Sequence, residues 1–373
     1  MAKGAPPRRH GVMEENGFYN RHSRIPAGGL ALALPHLQDA VRSIEIDCGD
    51  HPVVIADLGS SQGKNSLAPM SIAIATLRQR LGVNRPIFVY HVDQPANDFN
   101  TLFEVLATDP DRYTLEAANV FPCAIGRSFY ESVFPPRYVH LAWCSYAAMW
   151  LSRIPSLIPG HFIAHRCAGS ERAKFDLQAA EDWKSFLSLR ARELRTGGRL
   201  VVVLAALNDN GASGLESLFD HANAVLANMA SEGSISLEER RQMVVGVHPM
   251  RRCGLLSPFQ TEGLFEGLRV ESCDLASVAD GAWAEYERDG DAEALATKNA
   301  LFFRSVFVPS LALSVADTQN GERRRDFADK FSDALKKRLV HQLAPLQSFV
   351  QTLVLSKNTS APMRTTETRN GIR

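Results

Sequence analysis

The segment Asp57-Leu58-Gly59-Ser60-Ser61-Gln62-Gly63-Lys64-Asn65-Ser66 carries the residue types best suited to chemistry. A glycine-rich turn lets a ligand approach the backbone closely, and a lysine beside it suits a phosphate. A P-loop, however, needs four residues between its glycines and a Ser or Thr directly after the lysine to hold magnesium. Only Ser60, Ser61 and Gln62 intervene here, and Asn65 follows Lys64, so the cradle is short and the metal hydroxyl misplaced. A second chemistry fits the same turn. Asp57-Leu-Gly59 would end one strand and Asp93 the next, where a carboxylate accepts hydrogen bonds from ribose hydroxyls. The dinucleotide fingerprint G-x-G-x-x-G is absent, so a nucleoside without a pyrophosphate fits better than a dinucleotide. A purely structural Asp/Gly turn would read the same way.

To bring these residues together, the chain must place them at strand ends. Residues 53–58 read as a buried strand from their β-branched content, and 67–81 have helical periodicity that stops at Gly82. Further strands are expected at 87–92, 120–125, 138–144 and 200–204, with a helix over 183–194 closed by Gly197-Gly198. This alternation predicts an α/β fold with a doubly wound, mostly parallel sheet. Beyond Leu204, residues 215–229 and 292–314 read as helices, while 267–275 and 348–355 return to strand character. Strand material on both sides predicts one sheet with a helical cap, whose inserts span about 153–180, 206–262 and 292–321, rather than two domains. Residues 1–12 and 358–373 read as mobile tails around a core of 13–357.

Composition narrows the partners. Lys plus Arg and Asp plus Glu number 41 each, and without a basic excess or stripe no nucleic-acid partner is expected. Apolar residues at 45% and charged residues at 22% describe an ordinary globular chain, and no apolar run reaches the roughly 18 residues of a membrane span. MAKGAPPRRH has no apolar stretch behind its basic residues, so a cytoplasmic protein without a secretory signal is expected. Six cysteines, at 48, 123, 144, 167, 253 and 273, show no C-x-x-C spacing and read as buried free thiols. His140, His161 and His165 lack the Cys or carboxylate spacing of a metal site and read as structural, so no metal is expected. Glu322-Arg-Arg-Arg325 reads as a solvated face.

Several segments together resemble the SABATH family of carboxyl methyltransferases, which act with S-adenosylmethionine. The turn at 57–66 is similar to the family's D-L-G-C-S-S-G-x-N-T, and Asp93-Gln-Pro-Ala-Asn97-Asp98-Phe99-Asn100 to its D-L-P-x-N-D-F-N. Arg127-Ser128-Phe129-Tyr130 resembles G-S-F-Y, and Cys144-Ser145-Tyr146-Ala-Ala-Met149-Trp150-Leu-Ser resembles S-S-Y-S-L-M-W-L-S. Arg190 to Leu204 also matches, and the resemblance covers most of residues 13–357. Among members, the chain looks most like bacterial fatty-acid O-methyltransferases of the mycobacterial type.

The resemblance implies a class I methyltransferase core, Rossmann-like with seven strands, and a homodimer. It implies that Tyr19 and Ser23 close over the cofactor, that Gly59 and Asn65 line its methionine end, and that Asp57 also belongs to the cofactor site. Asp93 with Gln94 would take the ribose, and Ser128 with Phe129 the adenine. Tyr146, Met149 and Trp150 would line the acceptor pocket, Trp150 giving its indole N–H to the substrate carboxylate, with Tyr146 as the second catalytic candidate. Phe219, Phe303 and Val306 fall where the family lines its acyl or aryl pocket, and core packing would explain them equally well. The family Gln that partners the Trp falls at Pro26, His22 replaces an Asn, and Gln94 an apolar residue. The implied reaction converts a small carboxylic acid, such as a medium-chain fatty acid, benzoate or salicylate, to its methyl ester and leaves S-adenosylhomocysteine. A carboxylic acid with a pKa of about 4–5 is already ionised at neutral pH, so no general base is needed. Methylation at nitrogen or a phenol, or non-catalytic binding of a nucleoside or lipid, would suit the same fold.

Overall fold

The computed structural model describes residues 11–115, 118–317 and 321–358. In chain order it contains α1 (Phe18–His22), α2 (Arg24–Arg42), β1 (Val53–Leu58), α3 (Lys64–Leu81), β2 (Ile87–Asp93), α4 (Phe99–Thr108), β3 (Val120–Gly126) and β4 (Val139–Ser145). There follow α5 (Gly169–Glu193), β5 (Leu194–Ala205), α6 (Glu216–Ser231), α7 (Leu237–Gln242) and α8 (Arg252–Leu256). The remainder comprises β6 (Leu264–Phe265), β7 (Leu268–Ser277), α9 (Gly281–Asp289), α10 (Ala292–Ala312), α11 (Glu322–Val340) and β8 (Phe349–Lys357).

One sheet in the order β3-β2-β1-β4-β5-β8-β7-β6 runs through the molecule. From β3 to β5 all pairings are parallel, and β8 lies antiparallel between β5 and β7. Every residue of β1 is buried, as expected of an apolar parallel strand covered on both faces. Eight strands stand where seven were expected, because a two-residue edge strand, Leu264–Phe265, folds back on β7.

Other differences have local causes. The helix expected over 183–194 is the longer α5, and its chain passes directly into β5 at Leu194. Gly197 and Gly198 therefore lie inside the strand and do not close the helix. They sit where pairing jumps from Val139↔Leu194 to Leu141↔Arg199, so β5 carries extra residues opposite a short step of β4. All six cysteines are free, as expected, but Cys48 and Cys253 are exposed. Arg323, expected on a solvated face, pairs with Glu239 of α7, whose carboxyl it holds down at about 2. Apart from Gly11, Val12 and Asn358, the expected tails lie outside the described residues. Gly11 is packed against the ring of Trp150, and the Asn358 N–H donates to Gly267 O at 2.9 Å. Among the described residues, no helix is long and apolar enough to cross a membrane.

Candidate active site

Strand order reverses at β1, which pairs with β2 on one side and β4 on the other, and ligands of open parallel sheets bind at the carboxyl ends beside such a switch. Those ends carry Gly59 after β1, Asp93 at the end of β2, and Tyr146 after β4. Gly59 has φ +84°, and a Cβ there would stand 2.1 Å from that of Ala147, so the turn admits only glycine.

A polar cavity opens over this turn, lined by Tyr19, Asp57, Gly59, Ser61, Asn65 and their neighbours. Asp93 holds the turn in place. Its carboxylate accepts from the N–H of Ser61 and from that of Gln94, both at 2.7 Å, and Asn97 Nδ2 donates to Ser61 O at 2.8 Å. Burial pushes the Asp93 carboxyl up to about 6, and the two backbone donors act against that rise. The hydroxyls of Ser60 and Ser61 are buried without any partner.

The N-terminal segment reaches the turn through side-chain hydrogen bonds. Asn65 Nδ2 donates to Ser23 Oγ at 3.1 Å and to Tyr19 Oη at 3.5 Å. Asn20 Nδ2 donates to Gln62 O at 3.1 Å, and Gln62 Nε2 to Glu14 O at 2.6 Å. Burial pushes the Tyr19 hydroxyl up to about 12, so it stays protonated. Lys64 points elsewhere, its Nζ 2.8 Å from Asp109 and 3.2 Å from Asp111, which removes the phosphate-binding reading. Phe129 lies beside Gly59, with a ring carbon 3.9 Å from where a Cβ there would stand. Ser128 Oγ accepts from the Tyr130 N–H at 3.2 Å.

Asp57 has a partner that the sequence did not announce. His91 Nδ1 lies 2.9 Å from its carboxylate and His91 Nε2 lies 2.8 Å from the Tyr113 hydroxyl, all three groups being buried. The available signal was a histidine inside an otherwise apolar strand, placed by register directly across from Asp57.

A second cavity, of about 50 Å³, adjoins the first and is almost wholly apolar. That is well below the roughly 300–1,000 Å³ of an open small-molecule site, so its walls must part to admit an acceptor. Met149, Phe219 and Val306 line it. Phe303 does not. It is fully buried in an aromatic cluster with Phe162, Phe219, Phe307 and Phe331, while Phe302 and Phe307 of the same helix take the wall. Among the described residues, Pro26 and Tyr146 alone line both cavities.

Tyr146 holds a left-handed backbone (φ +56°), fixed by its N–H donating to Val203 O at 2.7 Å. Its hydroxyl is buried without a partner, and burial raises its pKa further, keeping it a neutral donor. Trp150 lines neither cavity. Its ring packs on Gly11 and its carbonyl accepts from the Tyr130 hydroxyl at 2.8 Å. His140 is structural, its Nδ1 accepting from the Val54 N–H at 3.1 Å. His165, read as structural too, instead lines the apolar cavity. Among the described residues, no group of three His, Cys, Asp or Glu is placed to hold a metal.

Residues 10–356 match the family described as SAM dependent carboxyl methyltransferase. The chain is 28% identical over 229 residues to "Methyltransferase LUC1" of Fusarium sp, covering 60% of this chain and 59% of the relative. It is 29% identical over 250 residues to "Salicylate carboxymethyltransferase" of Clarkia breweri, covering 64% and 67%. The chain thus spans about three fifths to two thirds of the length of these relatives. A solved structure described as a loganic acid methyltransferase with SAH superposes with a TM-score of 0.74 at 21% identity, covering 94% of this chain and 99% of that one. It shows a shared fold.

Proposed function

The chain belongs to the family of S-adenosylmethionine-dependent carboxyl methyltransferases, and from that premise we propose that it methylates an apolar carboxylic acid, in particular a medium-chain fatty acid. The observation that carries this reading is the pair of adjoining cavities, one polar and one apolar, divided by Pro26 and Tyr146. The polar cavity suits the cofactor. Asp93, which holds the turn through the Ser61 and Gln94 N–H groups, would accept from ribose hydroxyls, and the orphaned Ser60 and Ser61 hydroxyls are groups that a polar ligand would satisfy. When bound, S-adenosylmethionine supplies a methyl group on a positively charged sulfur.

The chain's own task is to hold the acceptor carboxylate at the dividing wall. Tyr146 can donate to one carboxylate oxygen and leave the other free. That bond also weakens the nucleophile, so its value lies in position rather than activation. Pro26 offers no donor on the facing side. The apolar walls compensate by holding the substrate's tail at roughly 0.8 kcal/mol for each buried CH₂. The reading includes Trp150 as a second candidate donor, a single core over about 13–357, and a cytoplasmic homodimer, the last checked by sedimentation of purified protein.

Transfer of labelled methyl groups to a series from butyrate to dodecanoate, beside benzoate and salicylate, tests the acceptor. kcat/KM should rise by about fourfold per methylene over the first few steps. A flat series with an aromatic acid ahead would end the fatty-acid choice. Transfer to nitrogen or phenol acceptors alone would end the carboxyl reading.

A further inference from the structure

The apolar cavity contains polar atoms that nothing among the described residues satisfies. Both ring nitrogens of His165 are buried without a partner, and so is the hydroxyl of Ser348, which lines the same cavity. Buried polar groups in folded proteins are nearly always paired, so each such exception calls for a cause. His165 sits in a short turn (Ala164–Arg166) ahead of α5, its ring edge-on to Phe219 at 5.1 Å between centroids. Ser348 immediately precedes β8. Neither lines the polar cavity, whose only shared wall is Pro26 and Tyr146. On the proposed reading the reacting carboxylate lies at that wall, and these two residues would meet a different part of the acceptor.

We infer that His165, assisted by Ser348, determines specificity by receiving a hydroxyl group that the acceptor carries away from its carboxylate. This rests on the carboxyl methyltransferase reading and narrows it from a plain acid to a hydroxy acid. The chemistry of the pair favours a hydroxyl over a charged group. Burial holds the His165 pKa down at about 4, with Arg172, Arg166 and His248 acting in the same direction and Glu216 against it. At neutral pH the ring is therefore uncharged, with one nitrogen a donor and the other an acceptor. A hydroxyl both gives and takes a hydrogen bond, which matches an imidazole and a serine together. A plain alkyl chain would leave all three atoms unpaired, and sites built to bond a hydroxyl discriminate against acids that lack one.

The test compares ω-hydroxy acids of six to twelve carbons with their parent acids, in wild type and in His165→Phe, which keeps an aromatic ring against Phe219. Esterification kinetics are read alongside calorimetric binding of the same acids to the complex with S-adenosylhomocysteine. At one chain length or more, the hydroxy acid should exceed its parent by about tenfold in kcat/KM and in affinity, as one or two well-placed hydrogen bonds allow. His165→Phe should bring that ratio to about one, while His165→Gln, which keeps a donor and an acceptor, should retain part of it. Should His165→Phe fail to fold, Ser348→Ala and His165→Gln must each lower the ratio. Parents preferred at every length, or both acids weakened alike in the variants, would overturn the inference. Selective binding that depends on His165 without any ester formation would support His165 and count against carboxyl transfer. Ester formation without selectivity would do the reverse.

Discussion

The hydroxyl of Tyr146 rests against Gly29 so closely that a Cβ at position 29 would stand 1.8 Å from it. Gly29 lies in α2, one turn beyond Pro26, so a single helix supplies both the proline of the dividing wall and the space beside the tyrosine hydroxyl. Replacing Gly29 by Ala must push the Tyr146 ring aside. We expect kcat to fall by tenfold or more while calorimetric affinity for S-adenosylhomocysteine changes by less than about threefold. A large loss of cofactor affinity with kcat preserved would place the tyrosine on the wrong side of the reaction.

Tyr146→Phe and Trp150→Phe separate the two candidate carboxylate donors. A hydrogen bond to a charged group contributes about 1.5–3 kcal/mol, so Tyr146→Phe should lower kcat/KM roughly ten- to a hundredfold for every acid. Trp150 packs on Gly11 outside both cavities, and its substitution should cost less than about threefold once stability is allowed for. The opposite ranking in steady-state assays would return the donor's role to Trp150.

Cofactor affinity should depend on pH through Asp93. On the proposed reading ribose hydroxyls would bond the ionised carboxylate, whereas burial raises the pKa of Asp93 to about 6 in the protein alone. A proton therefore competes with the cofactor, and affinity for S-adenosylhomocysteine should weaken by up to tenfold per unit as pH falls below 6. The empty protein responds in the opposite sense. Its Asp93 binds a proton more readily folded than unfolded, so this contribution to stability is full below about pH 4 and is lost as pH rises through 6. Asp93→Asn should bind weakly and flatten both profiles, and a mutant retaining either slope would point to another titrating group.

Lys64→Ala should leave cofactor affinity unchanged. The lysine is committed to Asp109 and Asp111 and is 37% exposed, so the melting curve should reflect less than about 1 kcal/mol. A thermal shift of the wild type by ATP with magnesium, abolished in this mutant, would revive phosphate binding.

The strand-end turn and its acidic neighbour were legible because their signals are local. A β-branched run, an Asp/Gly turn and an acidic residue ending the next strand lie close together in sequence, and the fold places them side by side. The Asp57–His91 pair was hidden because it depends on strand register, which alternation alone does not give for strands buried on both faces. The acceptor wall was harder. Helix α10 is buried almost all round, so its apolar pattern carries no phase, and nothing in sequence separates Phe302, on the wall, from Phe303, in the core. His165 reads from sequence as a structural histidine, because sequence shows neither the cavity it faces nor its lack of partners among the described residues.

The position of β8 also bears on how this chain is made. It fills the gap between β5 and β7, so the sheet stays split until residues 349–357 arrive. A chain emerging in order from the ribosome carries two open strand edges, those of β5 and β7, until that point. Such edges invite pairing with other chains, and long-range strand insertion is slow. Nascent or truncated chains ending before Phe349 should therefore depend on chaperones and collect in inclusion bodies.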